Sequence, residues 1–196
     1  MSIAATLPKA PRLAWFARRF RRAEGGMAAL EFAMIVPIMF FLFVGAVEFS
    51  QAITVDRRVT QIASSTADLI AREKTMTTSQ LDGIMGIINQ LVKPYDQTRL
   101  KLTVSNVKAA MASASNTTVC WTHNHNGGVA TYATGQAYTL PPGIVEAGNS
   151  VIVTEVTYDY TPLLFTYFIQ SAFNLEEKFY LKPRLASYVK FNDVTC

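Results

Sequence analysis

The strongest constraint on the fold is a run of sixteen residues without a charged side chain, from residue 32 to residue 47. Residues 27–31 extend this run to 21 residues and add one acid, Glu31. A helix of about 20 residues crosses the hydrocarbon core of a membrane. We therefore predict a transmembrane helix over residues 27–49, with one carboxylate near its start.

Charge is distributed unevenly along the chain, and its distribution predicts the orientation of this helix. Residues 1–26 contain six Lys and Arg side chains and one Glu, whereas the rest of the chain holds twelve basic and thirteen acidic side chains. Basic residues beside a membrane helix stay on the cytoplasmic side. We expect residues 1–26 to form a cytoplasmic leader and the C-terminal part to be exported. The basic pI belongs to the leader, so no nucleic acid is expected as a partner.

Glu31 separates three interpretations of the N-terminal segment. A carboxylate at the edge of an apolar core is costly unless it is paired. A cleaved signal peptide would end at small residues such as Val44-Gly45-Ala46, and an uncleaved signal anchor would leave Glu31 without a role. Cleavage after Gly26 would instead create a cationic amine at Met27, which a neighbouring subunit could present to Glu31. A Glu31 side chain that extends to the lipid headgroups stays open as an alternative.

The residues around Glu31 carry a longer pattern. Residues 21–37 read RRAEGGMAALEFAMIVP, and Val47-Glu48-Phe49 adds a second Glu-Phe pair. This start resembles that of TadE-like pseudopilins, which are minor components of the Tad (tight adherence, Flp-type) pilus machinery. The resemblance implies a type IV pilin-like architecture, in which a long N-terminal helix leads into an exported domain.

The same resemblance implies a processing site and a function. A prepilin peptidase would cleave between Gly26 and Met27, and Glu31 with Phe32 would serve processing and assembly. The implied protein is a minor pilin or pseudopilin that helps to assemble a Tad/Flp-type pilus for adhesion, without catalysis or a cofactor. The implied partners are the peptidase, the major Flp pilin, a sister pseudopilin, inner-membrane platform proteins and membrane lipid. The alternative is an uncleaved single-pass protein of the bacterial inner membrane with an exported binding or scaffold domain.

The helix is predicted to continue beyond the membrane as an amphipathic segment over residues 50–72. Pro37 removes one helical hydrogen bond and predicts a kink inside the membrane, where kinks are tolerated. A second amphipathic helix is predicted to begin with Thr78 or Ser79 as its N-cap and to end before Pro94. In the segment 50–72, apolar residues recur at steps of three and four and form one stripe along the helix. The stripe consists of Ala52, Val55, Val59, Ile62, Thr66 and Leu69.

Residues 73–196 are predicted to form an exported α+β domain, with the long helix against an antiparallel sheet. Alternating patterns indicate a strand over residues 99–105, a longer one over residues 151–160 and a third over residues 177–191, which Pro183 interrupts. Residues 162–173 are too apolar for a loop and indicate a short helix or a membrane-proximal turn. The segments 158–162 and 182–184 also resemble the exported part of TadE-like proteins.

The chain contains two cysteines, Cys120 and Cys196. In an exported domain an isolated pair most often forms a disulfide, although two buried free thiols would fit the same sequence. His123 and His125 are one residue apart, but a stable metal site needs three or four ligands, so we expect no metal there. Asn126-Gly127-Gly128 predicts an exposed loop tip around both histidines. The sequence offers no catalytic motif, and we expect no enzyme.

Overall fold

The computed structural model of the chain describes residues 25–162, 173–192 and 196. The chain divides into two compact units, one that ends at Val47 and one that comprises Glu48–Cys196. A single long helix belongs to both units, and every other element of the described residues lies in the second unit.

Helix α1, Gly25–Ala71, is continuous through Pro37 and confirms the long N-terminal helix predicted from the sequence. Pro37 and Gly45 are the residues of lowest helix propensity in the apolar run, and apart from the N–H that Pro37 lacks, the backbone can satisfy its own hydrogen bonds within the helix. The kink at Pro37 stays a prediction.

The second half of α1 buries one face of the helix. Near the C-terminal end of α1, the residues on this face differ from those of the predicted stripe. Val55, Val59 and Ile62 are buried as predicted, but Leu69 is 40% exposed and Ile70 is fully buried. Ala63 and Ala67, which the predicted stripe omits, are also buried. With 100° between successive residues, these two alanines shift the centre of the buried face toward Ile70 and leave Leu69 at its rim. The side chains that share this face are Val55, Val59, Ile62, Ala63, Thr66, Ala67 and Ile70.

Helix α2, Thr78–Asn89, begins one residue earlier than predicted, because Thr77 is its N-cap. The Thr77 hydroxyl accepts a hydrogen bond from the Gln80 backbone N–H, and the Gln80 side chain accepts one from the Thr77 N–H at 2.9 Å. This reciprocal capping box needs Gln at the third helical position, which excludes Thr78 and Ser79 as caps. After α2 a 3-10 turn, Gln90–Val92, ends the helical segment before Pro94, as predicted.

The described residues form six strands, which are β1 Thr75–Met76, β2 Leu100–Ala110, β3 Ser113–His125, β4 Ser150–Tyr160, β5 Phe173–Leu181 and β6 Lys190–Phe191. Four of them form an antiparallel main sheet in the order β3-β2-β4-β5, so the α+β class is confirmed. A separate two-stranded sheet pairs β1 with β6 in parallel.

Two strands differ from the predictions. Strand β3 has no predicted counterpart, because its first half is Ser-, Thr- and Asn-rich and its side chains are exposed, which hides the strand pattern. The third predicted strand, over residues 177–191, begins earlier and ends as β5 at Leu181. Pro183 cannot donate to a ladder, so the chain leaves the sheet there and returns only as β6. The predicted helix or turn over residues 162–173 lies almost wholly outside the described residues.

The sheet is covered on both faces. Helix α1 beyond Glu48 and helix α2 pack on one face, over residues such as Val104, Ile152 and Val156. The opposite face carries a second apolar cluster, Val107, Val119, Val151 and Val153, beneath side chains from the connection between β3 and β4. Strand β4 is consequently buried along almost its whole length.

Candidate functional site

The start of α1 holds the predicted processing residues in an open setting. Helix α1 begins at Gly25, and a side chain placed at Gly26 would meet no atom within 4 Å. Met27 is 68% exposed. The bond between Gly26 and Met27 is therefore sterically open within the described residues, although cleavage there stays a prediction.

Glu31 and Phe32 lie on the surface of the same helical segment. Both side chains are exposed, Phe32 to 69%. Glu31 follows Gly26 by five residues, which corresponds to about 7.5 Å along a helix axis. No other element of the described first unit packs against these two residues, so they are accessible to a partner.

Exposed apolar side chains surround Glu31 on all sides of α1. Met34, Phe40, Leu42 and Phe43 are each more than half exposed, and none is packed in a core. Within the part of the chain that the structure describes, one helix, Gly26–Ala71, is long and apolar enough to cross a membrane. The most apolar window of that helix has no buried residues, unlike a core helix of a soluble domain. The segment is thus consistent with a membrane anchor.

A comparison with protein families bears directly on this segment. Residues 26–68 match the TadE-like protein family. The match starts at Gly26, includes Glu31 and Pro37, and ends inside α1, and it confirms the resemblance inferred from the sequence. A TadE-like match indicates a protein associated with the Tad pilus. Neither a curated protein nor a solved structure matches the chain.

The TadE-like segment contains a second Glu-Phe pair, and its environment is opposite to that of Glu31-Phe32. Glu48 is only 6% exposed, whereas Phe49 next to it is 68% exposed. The Glu48 carboxylate interacts with the Tyr160 hydroxyl at the end of β4. Burial of Tyr160 raises the pKa of its hydroxyl, and the negative charge of Glu48 raises it further. Glu48 therefore lies close to the end of β4 within the second unit.

The predicted disulfide is present between Cys120 of β3 and Cys196, with a Cα–Cα distance of 5.3 Å. The Lys108 ammonium donates a hydrogen bond of 3.1 Å to the backbone carbonyl of Cys196. Upstream of the cysteine, the Val189 carbonyl accepts hydrogen bonds from Trp121 Nε1 at 2.8 Å and Asn106 Nδ2 at 2.9 Å. The described C-terminal residues are thus fixed to the sheet by one covalent bond and several polar ones.

The two histidines lie in β3, so the predicted loop tip is wrong for them. The turn itself follows one residue later, where Asn126 and Gly127 both have positive φ. His123 Nε2 lies 2.7 Å from Asp82 Oδ1 of α2. Burial lowers the pKa of His125, and its neighbour His123 lowers it further, while Asp82 opposes the shift. Among the described residues, no three His, Cys, Asp or Glu side chains come together as metal ligands.

Sequence reasoning missed a buried carboxylate on the second face of the sheet. Glu155 in β4 is 2% exposed, and Lys178 of β5 approaches its Oε1 to 2.8 Å. The hydroxyls of Tyr132 and Tyr138 donate to the same carboxylate at 3.0 Å. Burial is the main cause of the raised pKa of both tyrosines. The pKa of Lys178 is also raised, mainly because its ammonium donates a hydrogen bond to Glu155. One signal was available, a Glu amid the Val and Thr residues of a long strand.

Proposed function

We propose that the chain is a minor pilin or pseudopilin that takes part in assembly of a Tad/Flp-type pilus through helix and domain contacts, without catalysis. The observation that carries this proposal is the exposed carboxylate of Glu31 in the apolar first part of α1, inside the TadE-like segment that starts at Gly26. An unpaired charge at this position is unfavourable in a membrane, and a partner that neutralises it would remove that cost.

The proposed partner group is the α-amine of a neighbouring subunit. Cleavage between Gly26 and Met27 creates such an amine on every processed chain, and it is cationic at neutral pH. Exposed apolar side chains around Glu31 supply the packing surface, and the ion pair fixes the axial position of one helix against the next. Phe32 lies beside the carboxylate and adds apolar contact area to this interface.

The second unit supports the proposal by being firmly joined to its half of α1. Apolar side chains of α1 from Val55 to Ile70 belong to the main core, and Glu48 interacts with Tyr160. Arg184 contributes an ion pair to Asp68 and a backbone hydrogen bond of 2.8 Å to the Ala71 carbonyl. A subunit placed by its helix therefore carries the folded sheet with it.

The proposed location follows from the charge distribution. The leader of residues 1–26 stays in the cytoplasm until its removal, α1 crosses the inner membrane once, and the disulfide-bonded second unit is exported. The proposed partners are a prepilin peptidase, the major Flp pilin, a sister pseudopilin, inner-membrane platform proteins and lipid. After processing, the protein either stays in the inner membrane or is incorporated in the pilus.

The second candidate is an uncleaved single-pass inner-membrane protein whose exported unit binds a partner or acts as a scaffold. Exposure of the apolar part of α1 favours it equally, because a plain anchor also places apolar side chains toward lipid. The two candidates differ in whether the leader is removed.

The deciding experiment is the N-terminal sequence and intact mass of the full chain recovered from native membranes. The pseudopilin is supported if the wild-type protein starts at Met27. The variant Gly26→Leu should then abolish this start, and the control Gly25→Ala should leave it unchanged. If the wild type and both variants keep their first residues, the pseudopilin is excluded and the uncleaved single-pass protein is supported.

A further inference from the structure

A cavity of about 380 Å³ lies between the beginning of β3 and the connection that leads to β4. It is lined by residues 114–117 on one side and by residues 137–143 with Val145 on the other. Its volume falls within the range of about 300–1,000 Å³ that is usual for small-molecule sites. It lies at the end of the sheet where β2 turns into β3, away from the end where Glu48 meets Tyr160.

The cavity exists because two chain segments pair and then separate. The Tyr138 N–H donates to the Thr117 carbonyl at 3.0 Å, and the Val119 N–H donates to the Gln136 carbonyl at 2.9 Å. Beyond Tyr138 the chain reaches Pro141 and Pro142, which have no N–H to continue this pairing. The connection therefore diverges from β3 and leaves an open space next to residues 114–117.

On the other wall, β3 bulges away from its neighbour. The register between β2 and β3 changes from Ala109↔Thr117 to Ala110↔Ser113, so residues 114–116 have no partner on β2. These three residues are exposed. Among the described residues, the side chains of Ser115, Asn116 and Thr139 have no hydrogen-bond partner, which leaves two hydroxyls and one amide available at the cavity.

The lining residues have a consistent chemistry. Every described residue that lines the cavity is uncharged, although the domain carries many charged side chains elsewhere. Hydroxyl and amide groups alternate with apolar surface from Tyr138, Leu140 and the two prolines. A neutral ligand with hydroxyls at its edges and C–H groups on its faces fits this lining, whereas an anion or a cation finds no counter-charge there.

We propose that this cavity binds a neutral oligosaccharide. An extended peptide fits less well, because two of the backbone groups that it would need on the β3 side of the cavity are already engaged. The Ser115 N–H donates to Ser113 Oγ at 3.3 Å, and the Thr117 carbonyl accepts from Tyr138. Sugar hydroxyls need only the free side chains of Ser115, Asn116 and Thr139. This binding does not depend on the proposed role in pilus assembly.

The test is calorimetric titration of the full chain in lipid nanodiscs, with empty nanodiscs as the blank. The probes are the neutral hexasaccharides of glucose in α-1,4 and β-1,4 linkage and of N-acetylglucosamine, with a galacturonate hexamer as the charged comparison. An acetylated octapeptide of alternating Ser and Val tests the peptide alternative. We expect at least one neutral hexasaccharide to bind and the galacturonate to bind at least tenfold more weakly.

Matched variants locate the binding. Asn116→Ala with Thr139→Val removes two exposed polar groups from the cavity and should weaken binding roughly tenfold. Ala114→Trp fills the space from an exposed position and should abolish binding. Thr134→Val with Asn174→Ala makes the same chemical changes at exposed positions outside the lining and should leave affinity unchanged. Failure of all neutral sugars, equal affinity in all variants, or tighter binding of the peptide or the galacturonate would overturn the proposal.

Discussion

The Tyr138 hydroxyl donates a hydrogen bond of 3.0 Å to Oε1 of Glu155, across the face of the sheet opposite α1. Tyr132 donates to the same carboxylate and its ring meets that of Tyr138 edge to face, with centroids 5.2 Å apart. Both tyrosines come from the connection between β3 and β4 and Glu155 comes from β4, so this cluster fixes an irregular segment to the sheet. The wall of the proposed sugar cavity that residues 137–143 form is therefore held in place by the buried carboxylate of Glu155.

Tyr138→Phe should lower the free energy of unfolding by about 1–2 kcal/mol, because it removes one donor from a buried carboxylate while keeping the ring. Tyr188→Phe is the matched control, since the Tyr188 ring packs under Lys108 and its hydroxyl has no hydrogen bond among the described residues. Urea unfolding of the full chain in detergent measures both variants. Equal loss of stability in the two would show that the hydroxyl of Tyr138 contributes nothing specific.

The cap of α2 provides a second test of local structure. Thr77→Ala should destabilise the protein by about 1 kcal/mol, because it removes the hydroxyl that accepts from the Gln80 N–H. Ser79→Ala serves as the control and should change the stability by less than about 0.5 kcal/mol. Thermal unfolding decides between them, and a larger effect at Ser79 would contradict the capping box.

The elements that could be predicted from the sequence are those in which one face is buried, because their apolar residues then recur at regular intervals. The apolar run of α1, the buried positions from Val55 to Thr66 and the strand over residues 151–160 all follow from the periodicity of apolar residues. It missed β3, because Ser, Thr and Asn at exposed edge positions carry no such periodicity. It also gave no indication that a long connection would cover the second face of the sheet and bury Glu155, since this depends on contacts between distant segments.

The candidate sites show the same division. The cysteine pair was recognisable from residue type, whereas the roles of Gly26 and Glu31 stay predictions. The sugar cavity was not, because it arises where pairing beside β3 stops and no local motif marks that point. His123 was assigned to a loop from the Asn-Gly-Gly that follows, although the strand continues to His125 and Asp82 pairs with it from another element.

The disulfide should account for a large part of the stability of the exported unit. Cys196→Ser opens a loop with a sequence separation of 76 residues. By loop entropy, closure of a loop of this size stabilises a protein by about 4–5 kcal/mol. Urea unfolding under oxidising conditions should show this loss, while membrane insertion stays unchanged. With a reducing agent present, wild type and variant should unfold alike, and a persistent difference would mean that the serine itself perturbs the fold.

Glu31→Gln should leave cleavage after Gly26 intact but reduce assembly severalfold, because the amide cannot pair with a cationic amine. Two measurements on native membranes are needed, the mass of the processed chain and the yield of crosslinks to the major pilin. Glu73→Gln is a matched control, since Glu73 is also exposed but lies beyond the end of α1. Normal crosslinking of Glu31→Gln would contradict the ion pair, whereas loss of cleavage would assign Glu31 to processing instead.

His125 should make the exported unit less stable in mild acid. Burial lowers the pKa of His125 in the folded protein below its ordinary value of 6.5. The unfolded chain therefore binds a proton at a higher pH than the folded one, and the free energy of unfolding falls as the pH drops through about 6.5 and below. His125→Gln should flatten this dependence between about pH 7.5 and pH 5. His123→Gln is the informative comparison, because His123 lies in the same strand and pairs with Asp82 of α2. If the His125 variant keeps the slope of the wild type, another group is responsible for the acid sensitivity.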